Sequence, residues 1–400
     1  MLASFKPSRL CGNIDAPPSK SMAHRFLIAS AISGQECVLT GIEYSEDILA
    51  SIDCLRALGA KISIEESTAV IERGSFMREN FVTLPCRESG STLRFFIPLA
   101  LTAEKEIRLT GSARLLERPL GVYEELCACN GFAFNKDDSG ITLKGSLKSG
   151  NYKLRGDVSS QFISGMLFAL VYLNIESSIE IIPPFESRSY IDLTISALKA
   201  FGADVEFEGE RFIRIKPSTL NSYIGRIEGD YSNAAFLDAF NHIGSSVNVG
   251  NLKPDSLQGD RVYKTLFALI ENGTPEIDIS DCPDLAPILF ALAAMKNGAT
   301  FIGTDRLKVK ESDRGLAMHA ELLKLGIGLQ FGDNEITVPK QELKYKGIAL
   351  DGHNDHRIVM ACSVILSKIG GEIYGAEAVK KSYPSFFTDI KRLGAEVELL

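Results

Sequence analysis

No stretch of this sequence stays apolar for long enough to span a membrane. The longest uncharged apolar runs, Phe162 to Leu173 and Leu285 to Met295, fall short of the ~20 residues a spanning helix needs. The first ten residues carry Lys6 and Arg9 but no apolar core or small-residue cleavage site, so a cytoplasmic protein is expected. Positive charge is not in excess: 43 Lys and Arg stand against 51 Asp and Glu, a net charge of −8. The chain as a whole repels nucleic acid and anionic membrane, so an anionic ligand must be gripped by a local cluster of cations. The eight cysteines (11, 37, 54, 86, 127, 129, 282 and 362) include no CxxC pair and read as buried free thiols. Cys127-Ala128-Cys129 is one residue too tight for the usual zinc clip, and His353 and His356 lie in an apparent loop entering a helix, so no metal is expected. Pro18-Ser19-Lys20-Ser21 has the composition of a phosphate loop without its glycine order, which removes ATP as an expected ligand.

What is present is a repeat. At 400 residues and 45% hydrophobic content the chain suits two or three domains with sizeable cores. Six amphipathic segments each end on a glycine, at 59, 131, 202, 273, 326 and 394, spaced by 72, 71, 71, 53 and 68 residues. Each glycine fits the position after a helix where the chain turns left-handed. Alternating segments follow three of them and predict hairpins: Lys61 to Ile64 with Ala69 to Glu72, Phe132 to Asn135 with Ile141 to Lys144, and Asp204 to Phe207 with Phe212 to Lys216. Six mixed α/β units of about 67 residues, three in each of two domains, are the expected architecture.

A second recurring feature is a polar run opening a predicted helix: Ser45-Glu46-Asp47, Glu88 to Thr92, Ser159-Ser160-Gln161, Asp230 to Asn233, Pro283-Asp284, Glu311-Ser312-Asp313 and Asn354-Asp355. All suit N-caps. Capping alone accounts for Ser45, but Arg94, Lys310, Arg314 and Arg357 stand beside other runs, where a helix N-terminus and a cation can share one anion. Lys20 on the loop and Arg25 one turn into the next helix can face a single anionic group, or form a plain surface pair. Arg114 and Arg118 add cations in a loop before Pro119. Lys310-Glu311-Ser312-Asp313-Arg314 reads either as a solvated charged face or as a carboxylate held among cations for proton transfer.

Taken in order, these runs resemble one family over nearly the whole chain, the 5-enolpyruvylshikimate-3-phosphate synthases. The carrying pieces are Pro18-Ser19-Lys20-Ser21 with Arg25, Ser89 to Arg94, Glu117-Arg118-Pro119, Val158 to Phe162, Glu228-Gly229-Asp230, Lys310 to Arg314, Asn354 to Arg357 and Lys381 to Pro384. The resemblance implies an α/β (mixed α+β) fold, a two-domain inside-out α/β barrel of six βαβαββ repeats, three per domain. Residues 19–228 would form the domain mainly on the shikimate 3-phosphate side; 1–18 with 229–400 would complete the phosphoenolpyruvate site.

It also implies an activity: transfer of the carboxyvinyl group of phosphoenolpyruvate to the 5-hydroxyl of shikimate 3-phosphate, releasing phosphate, without metal or organic cofactor. A monomer with these two small-molecule partners, and neither nucleic acid nor membrane, is expected. By resemblance Lys20, Arg118, Lys381 and the Gly90 backbone would hold the donor phosphate with Arg94 close by, while Arg314 and Arg357 would clamp the donor carboxylate beside His356. Ser21, Arg25, Ser159, Ser160, Gln161, Ser187, Tyr190 and Lys310 would hold shikimate 3-phosphate. Asp284 would be the base for the 5-hydroxyl, Glu311 the acid, and Lys20 a proton carrier for the leaving phosphate; a helix cap remains a compatible role for Asp284. Glu88, Arg306 and Ser189 depart from common family residues. The related transferase acting on UDP-N-acetylglucosamine carries a loop cysteine, whereas Leu109 to Leu120 has none. A non-catalytic protein binding an anionic metabolite is the alternative from another class.

Overall fold

A computed structural model describes residues 1–74, 76, 82–345 and 347–400. Its repeating element is a strand, a helix, a second strand parallel to the first, another helix and an antiparallel hairpin. One copy runs from strand Val82–Pro85 through helix Gly90–Leu101 to strand Glu106–Thr110. Helix Gly121–Asn130 then leads into the hairpin Ala133–Asp137 with Gly140–Lys144, whose second arm pairs with Glu106–Thr110. Among the described residues five four-stranded sheets have this order. The three hairpins expected from alternation are all formed.

The chain divides into two units, Pro18–Glu228 and Met1–Pro17 with Gly229–Leu400. Strands are exchanged in sequence where it passes from one to the other. Ile224–Arg226 supplies the opening strand beside Cys37–Thr40 in the first unit. In the second, Cys11–Asp15 opens a sheet with Ser246–Gly250, and Leu2–Phe5 lies between Gly371–Tyr374 and Val397–Leu399. Each unit encloses its own apolar core. No helix among the described residues is long and apolar enough to cross a membrane.

Two expectations need correction. Gly59, Gly131, Gly202, Gly326 and Gly394 have φ of 98°, 70°, 90°, 87° and 105°, but Gly273 is extended, at φ −179° and ψ −160°. The reason is that its repeat ends early. After helix Tyr263–Asn272 the chain passes through Pro275 directly to strand Glu276–Asp278, the start of the next repeat, with no hairpin to turn back into. That missing hairpin also accounts for the short interval of 53 residues between Gly273 and Gly326. Secondly, Cys11 and Cys129 are exposed, since Cys11 lies on an open strand and Cys129 on the outer side of its helix.

In Pro18–Glu228 the approach of helix Gly90–Leu101 to helix Ser160–Leu173 fixes later geometry. A Cβ on Gly165 would lie 2.5 Å from both Arg94 O and Tyr123 Oη. Tyr123 Oη donates towards Arg94 O (2.8 Å) and Phe162 O (2.9 Å), stapling the two helices at the turns that carry Arg94 and Gln161. Overpacking a site bounded by backbone costs about 1–3 kcal/mol. Gly165→Ala is therefore expected to lower unfolding stability by that amount in urea titrations; an unchanged midpoint would contradict the close approach.

Candidate active site

In Pro18–Glu228 several helix N-termini are tied together by hydroxyls. Ser19 caps helix Lys20–Ser33 and Ser89 caps Gly90–Leu101, accepting from Met22 N and Thr92 N. His24 Nδ1, Ser51 Oγ, Thr92 Oγ1 and Ser89 Oγ form a buried chain with links of 2.8 Å. Burial first, then Lys20 and Arg25, push the His24 pKa well down, so its imidazole stays neutral near pH 7. Lys20, the first helical residue, places Nζ 2.7 Å from Asp47 Oδ2. Asp47 sits in the first turn of helix Glu46–Ala57, behind the Ser45 cap.

Gly90 makes room for a cation. A Cβ there would stand 2.5 Å from Arg118 NH1 and 3.7 Å from Arg94 NH1, so a larger residue would push the end of Arg118 aside. Arg94 NH1 donates to Gln161 Oε1 at 2.8 Å, Gln161 Nε2 to Ser91 Oγ at 2.8 Å, and Arg94 stacks over Phe162. Ser159 caps helix Ser160–Leu173 and so sets Gln161 in its first turn. Arg25 is directed elsewhere. Buried, and lowered by that burial to a pKa of about 10, it donates to Thr194 Oγ1 (2.8 Å), Ser21 O (2.7 Å) and Tyr190 O (3.0 Å). It thereby joins the Ser21 turn to helix Arg188–Ala200, which starts after Ser187 at a left-handed φ of 54°.

The second unit carries a denser cluster. Asp284 does not cap a helix, contrary to expectation: it lies inside the 3-10 turn Pro283–Leu285, where its side chain takes cations. Lys310 Nζ (3.1 Å) and Arg314 NH1 (2.7 Å) meet Oδ1, and Arg357 NH2 (3.1 Å) meets Oδ2. Burial favours the neutral acid, but Arg357, Lys310 and Arg314 outweigh it and hold the carboxyl well below the usual carboxylate range. Arg314 itself is 1% exposed and also reaches Glu311 Oε2 (2.8 Å) and Asp355 Oδ2 (3.0 Å). Burial brings Lys310 down to about 8; Asp284 opposes the drop, while Arg314 and Arg306 add to it.

Asp313 and Asp355 cap the helices that begin at Arg314 and at His356, so the caps orient the two arginines. Buried His356 lies beside Asp355, 3.9 Å away, and Lys381 Nζ donates to Asn354 O at 2.7 Å. The solvated-face reading of 310–314 fails, because Arg314 turns inward to three carboxylates.

The structure thus gathers Lys20, Gly90, Arg94, Arg118 and Gln161 at helix ends of one unit, and Asp284, Lys310, Glu311, Arg314 and Arg357 in one hydrogen-bonded set of the other. Sequence reasoning missed Asp47, Asp355 and Ser232 as partners of Lys20, Arg314 and Arg357. Each lies in one of the polar capping runs, and nothing in the spacing singles out its partner.

The EPSP synthase (3-phosphoshikimate 1-carboxyvinyltransferase) family description matches residues 5–390. The chain belongs to this family. Curated EPSP synthase relatives named 3-phosphoshikimate 1-carboxyvinyltransferase include those of Clostridium kluyveri, 40% identical over 99% of this chain and 98% of that protein, and Clostridium novyi, 38% identical over 98% and 97%. Among solved structures, EPSP synthase from Acinetobacter baumannii matches with TM-score 0.80 at 23% identity, covering 99% of both chains. The enolpyruvyl transferase NikO from Streptomyces tendae matches at TM-score 0.76 and 15% identity, covering 99% of this chain and 98% of that one. At these identities the two structures speak for the fold alone.

The turn that presents Asn354 and Asp355 has its own lock. His353 and Asn354 are both left-handed, at φ 49° and 51°. His353 Nε2 lies 2.7 Å from Glu321 Oε1, and the buried Glu321 also takes Lys324 Nζ (2.7 Å) and Asp351 N (2.8 Å). The hydrogen bond to Glu321 raises the His353 pKa against partial burial. A raised folded value means stabilisation that is full below the unfolded pKa of about 6.5 and lost as pH rises through the folded one. His353→Gln should therefore cost about 1 kcal/mol near pH 6 and little at pH 9, read from urea unfolding. A deficit of equal size at both pH values would contradict the ion pair.

Proposed function

We propose that this chain transfers the carboxyvinyl group of phosphoenolpyruvate to the 5-hydroxyl of shikimate 3-phosphate, releasing phosphate. The observation that carries this reading is Asp284 held by Lys310, Arg314 and Arg357, three cations that an arriving anion can recruit. Two substrates, each with a phosphate and a carboxylate, need such cations in a chain that is net acidic. On this reading the Pro18–Glu228 unit contributes Lys20, Arg118 and the Gly90 turn to the donor phosphate. It gives Ser21, Ser159, Ser160, Gln161, Ser187 and Tyr190 to shikimate 3-phosphate, with Arg25 bracing two of them. Arg314 and Arg357 clamp the donor carboxylate, Lys381 adds to the phosphate site, and the enzyme works as a cytoplasmic monomer.

The chemistry is addition and then elimination. Glu311 delivers a proton to the methylene carbon of phosphoenolpyruvate while the 5-oxygen bonds to its central carbon and Asp284 takes the hydroxyl proton. Glu311, now a carboxylate, then takes a proton back from the new methyl group as the carbon–oxygen bond to phosphate breaks, giving the enol ether, with Lys20 protonating the departing phosphate. With three cations on it Asp284 is a weak base. Once Arg314 and Arg357 turn to the donor carboxylate, Asp284 loses part of that hold and becomes basic when the acceptor is in place.

Purified protein is expected to release phosphate from phosphoenolpyruvate only when shikimate 3-phosphate is added; release with UDP-N-acetylglucosamine instead would overturn the reading. Glu311→Gln is expected to lower turnover at least tenfold, about 1.4 kcal/mol of barrier, with shikimate 3-phosphate binding by calorimetry nearly intact. Full turnover in that variant would take the acid role away from Glu311.

A further inference from the structure

Behind the Asp284 cluster lies a buried acid that the chemistry above does not use. Asp260 belongs to the 3-10 helix Gly259–Val262 and is 6% exposed. Gln258 pins this segment in place: its Nε2 donates to Gly229 O (2.8 Å) and its Oε1 accepts from Tyr231 N (3.0 Å). Asp260 is thereby held against the first turn of helix Tyr231–Ala239, with Ser232 beside its carboxyl. Ser232 Oγ in turn accepts from Arg357 NH1, and Arg357 NH2 donates to Asp284 Oδ2 at 3.1 Å. Ser232, Arg357 and Asp284 form one hydrogen-bonded line with Asp260 behind it, and Asp260 Oδ1 is buried without a hydrogen-bond partner. The charged and titratable groups facing Asp260 are Arg357, Asp284 and Asp230, with the Cys282 thiol alongside.

We propose that Asp260 is a positioning residue whose protonation state sets how readily Arg357 leaves Asp284 for the carboxylate of an incoming anionic substrate. The proposal rests on the reading of Arg357 as the clamp for the phosphoenolpyruvate carboxylate. As a neutral acid, Asp260 exerts only the pull of the Ser232 hydroxyl on the guanidinium. As an anion it puts a second carboxylate behind Arg357, holding the guanidinium back and repelling the ligand. Burial, then the charge of Asp284, push Asp260 up to about 7 against the opposing pull of Arg357, so the change falls in the neutral range. Rising pH ionises Asp260 and weakens donor binding.

The test is the KM for phosphoenolpyruvate between pH 6 and pH 9, read by phosphate release with saturating shikimate 3-phosphate, for the parent enzyme, Asp260→Asn and Ser232→Ala. The ratio of parent to variant cancels the donor's own phosphate ionisation. The parent KM is expected to rise at least threefold relative to Asp260→Asn across this range, with the two converging at pH 6 and the KM for shikimate 3-phosphate moving in parallel in both. Ser232→Ala, which keeps the carboxyl of Asp260 but removes the hydroxyl between it and the guanidinium, is expected to flatten the profile as well and carries the test should Asp260→Asn not fold. Parallel donor profiles in parent and variants would overturn the role of Asp260 while leaving enolpyruvyl transfer standing. No phosphate release by the parent enzyme would remove the transfer reading, and this proposal with it.

Discussion

A guanidinium taken out of water must be matched by negative charge, and the second cluster is organised by meeting that condition at Arg314. The desolvation cost of a buried ion is several kcal/mol unless partners surround it. Here Asp284, Glu311 and Asp355 all reach Arg314. Three carboxylates over-compensate one cation, and Lys310 and Arg357 restore the balance through Asp284. The result is a set in which every charge is held but Asp284 is shared by three donors, so replacing it by another anion leaves no cation stranded. A cluster of this kind would suit the site proposed above, which must accept and release polyanions.

The repeat was legible because it rests on local chemistry. Glycines after helices, alternation in the hairpins and serine or aspartate caps follow from backbone conformations a few residues long, and Ser19, Ser45, Ser89, Ser159, Asp230, Asp313 and Asp355 all cap the helices they precede. Gly273 and Asp284 went differently for tertiary reasons. One ends a repeat without a hairpin, and the other has three cations to satisfy, which a backbone N–H does not outbid.

The cations of the site were legible as residue types in a recognisable order, but their holders were not. Asp47 is 27 residues from Lys20, and Asp355 is 41 from Arg314. Partner choice at that separation is decided by how helices pack, for instance by the hydroxyl chain from His24 to Ser89 that aligns three N-termini. Arg25 illustrates the same limit. A cation one turn into the helix is equally compatible with gripping a ligand and with tying Ser21 to Tyr190, and the second role is visible only in the fold.

The strand Leu2–Phe5 is synthesised long before both its neighbours, Gly371–Tyr374 and Val397–Leu399. Pro18–Glu228 is continuous and has all its strands in hand once residue 228 has emerged, so it can fold while synthesis continues. Leu2–Phe5 must wait, unpaired, until its neighbours emerge, whereas Cys11–Asp15 can pair once Ser246–Gly250 has been made. Folding of this protein is therefore ordered in time by its topology, with the Arg314 cluster assembled in the half that matures second.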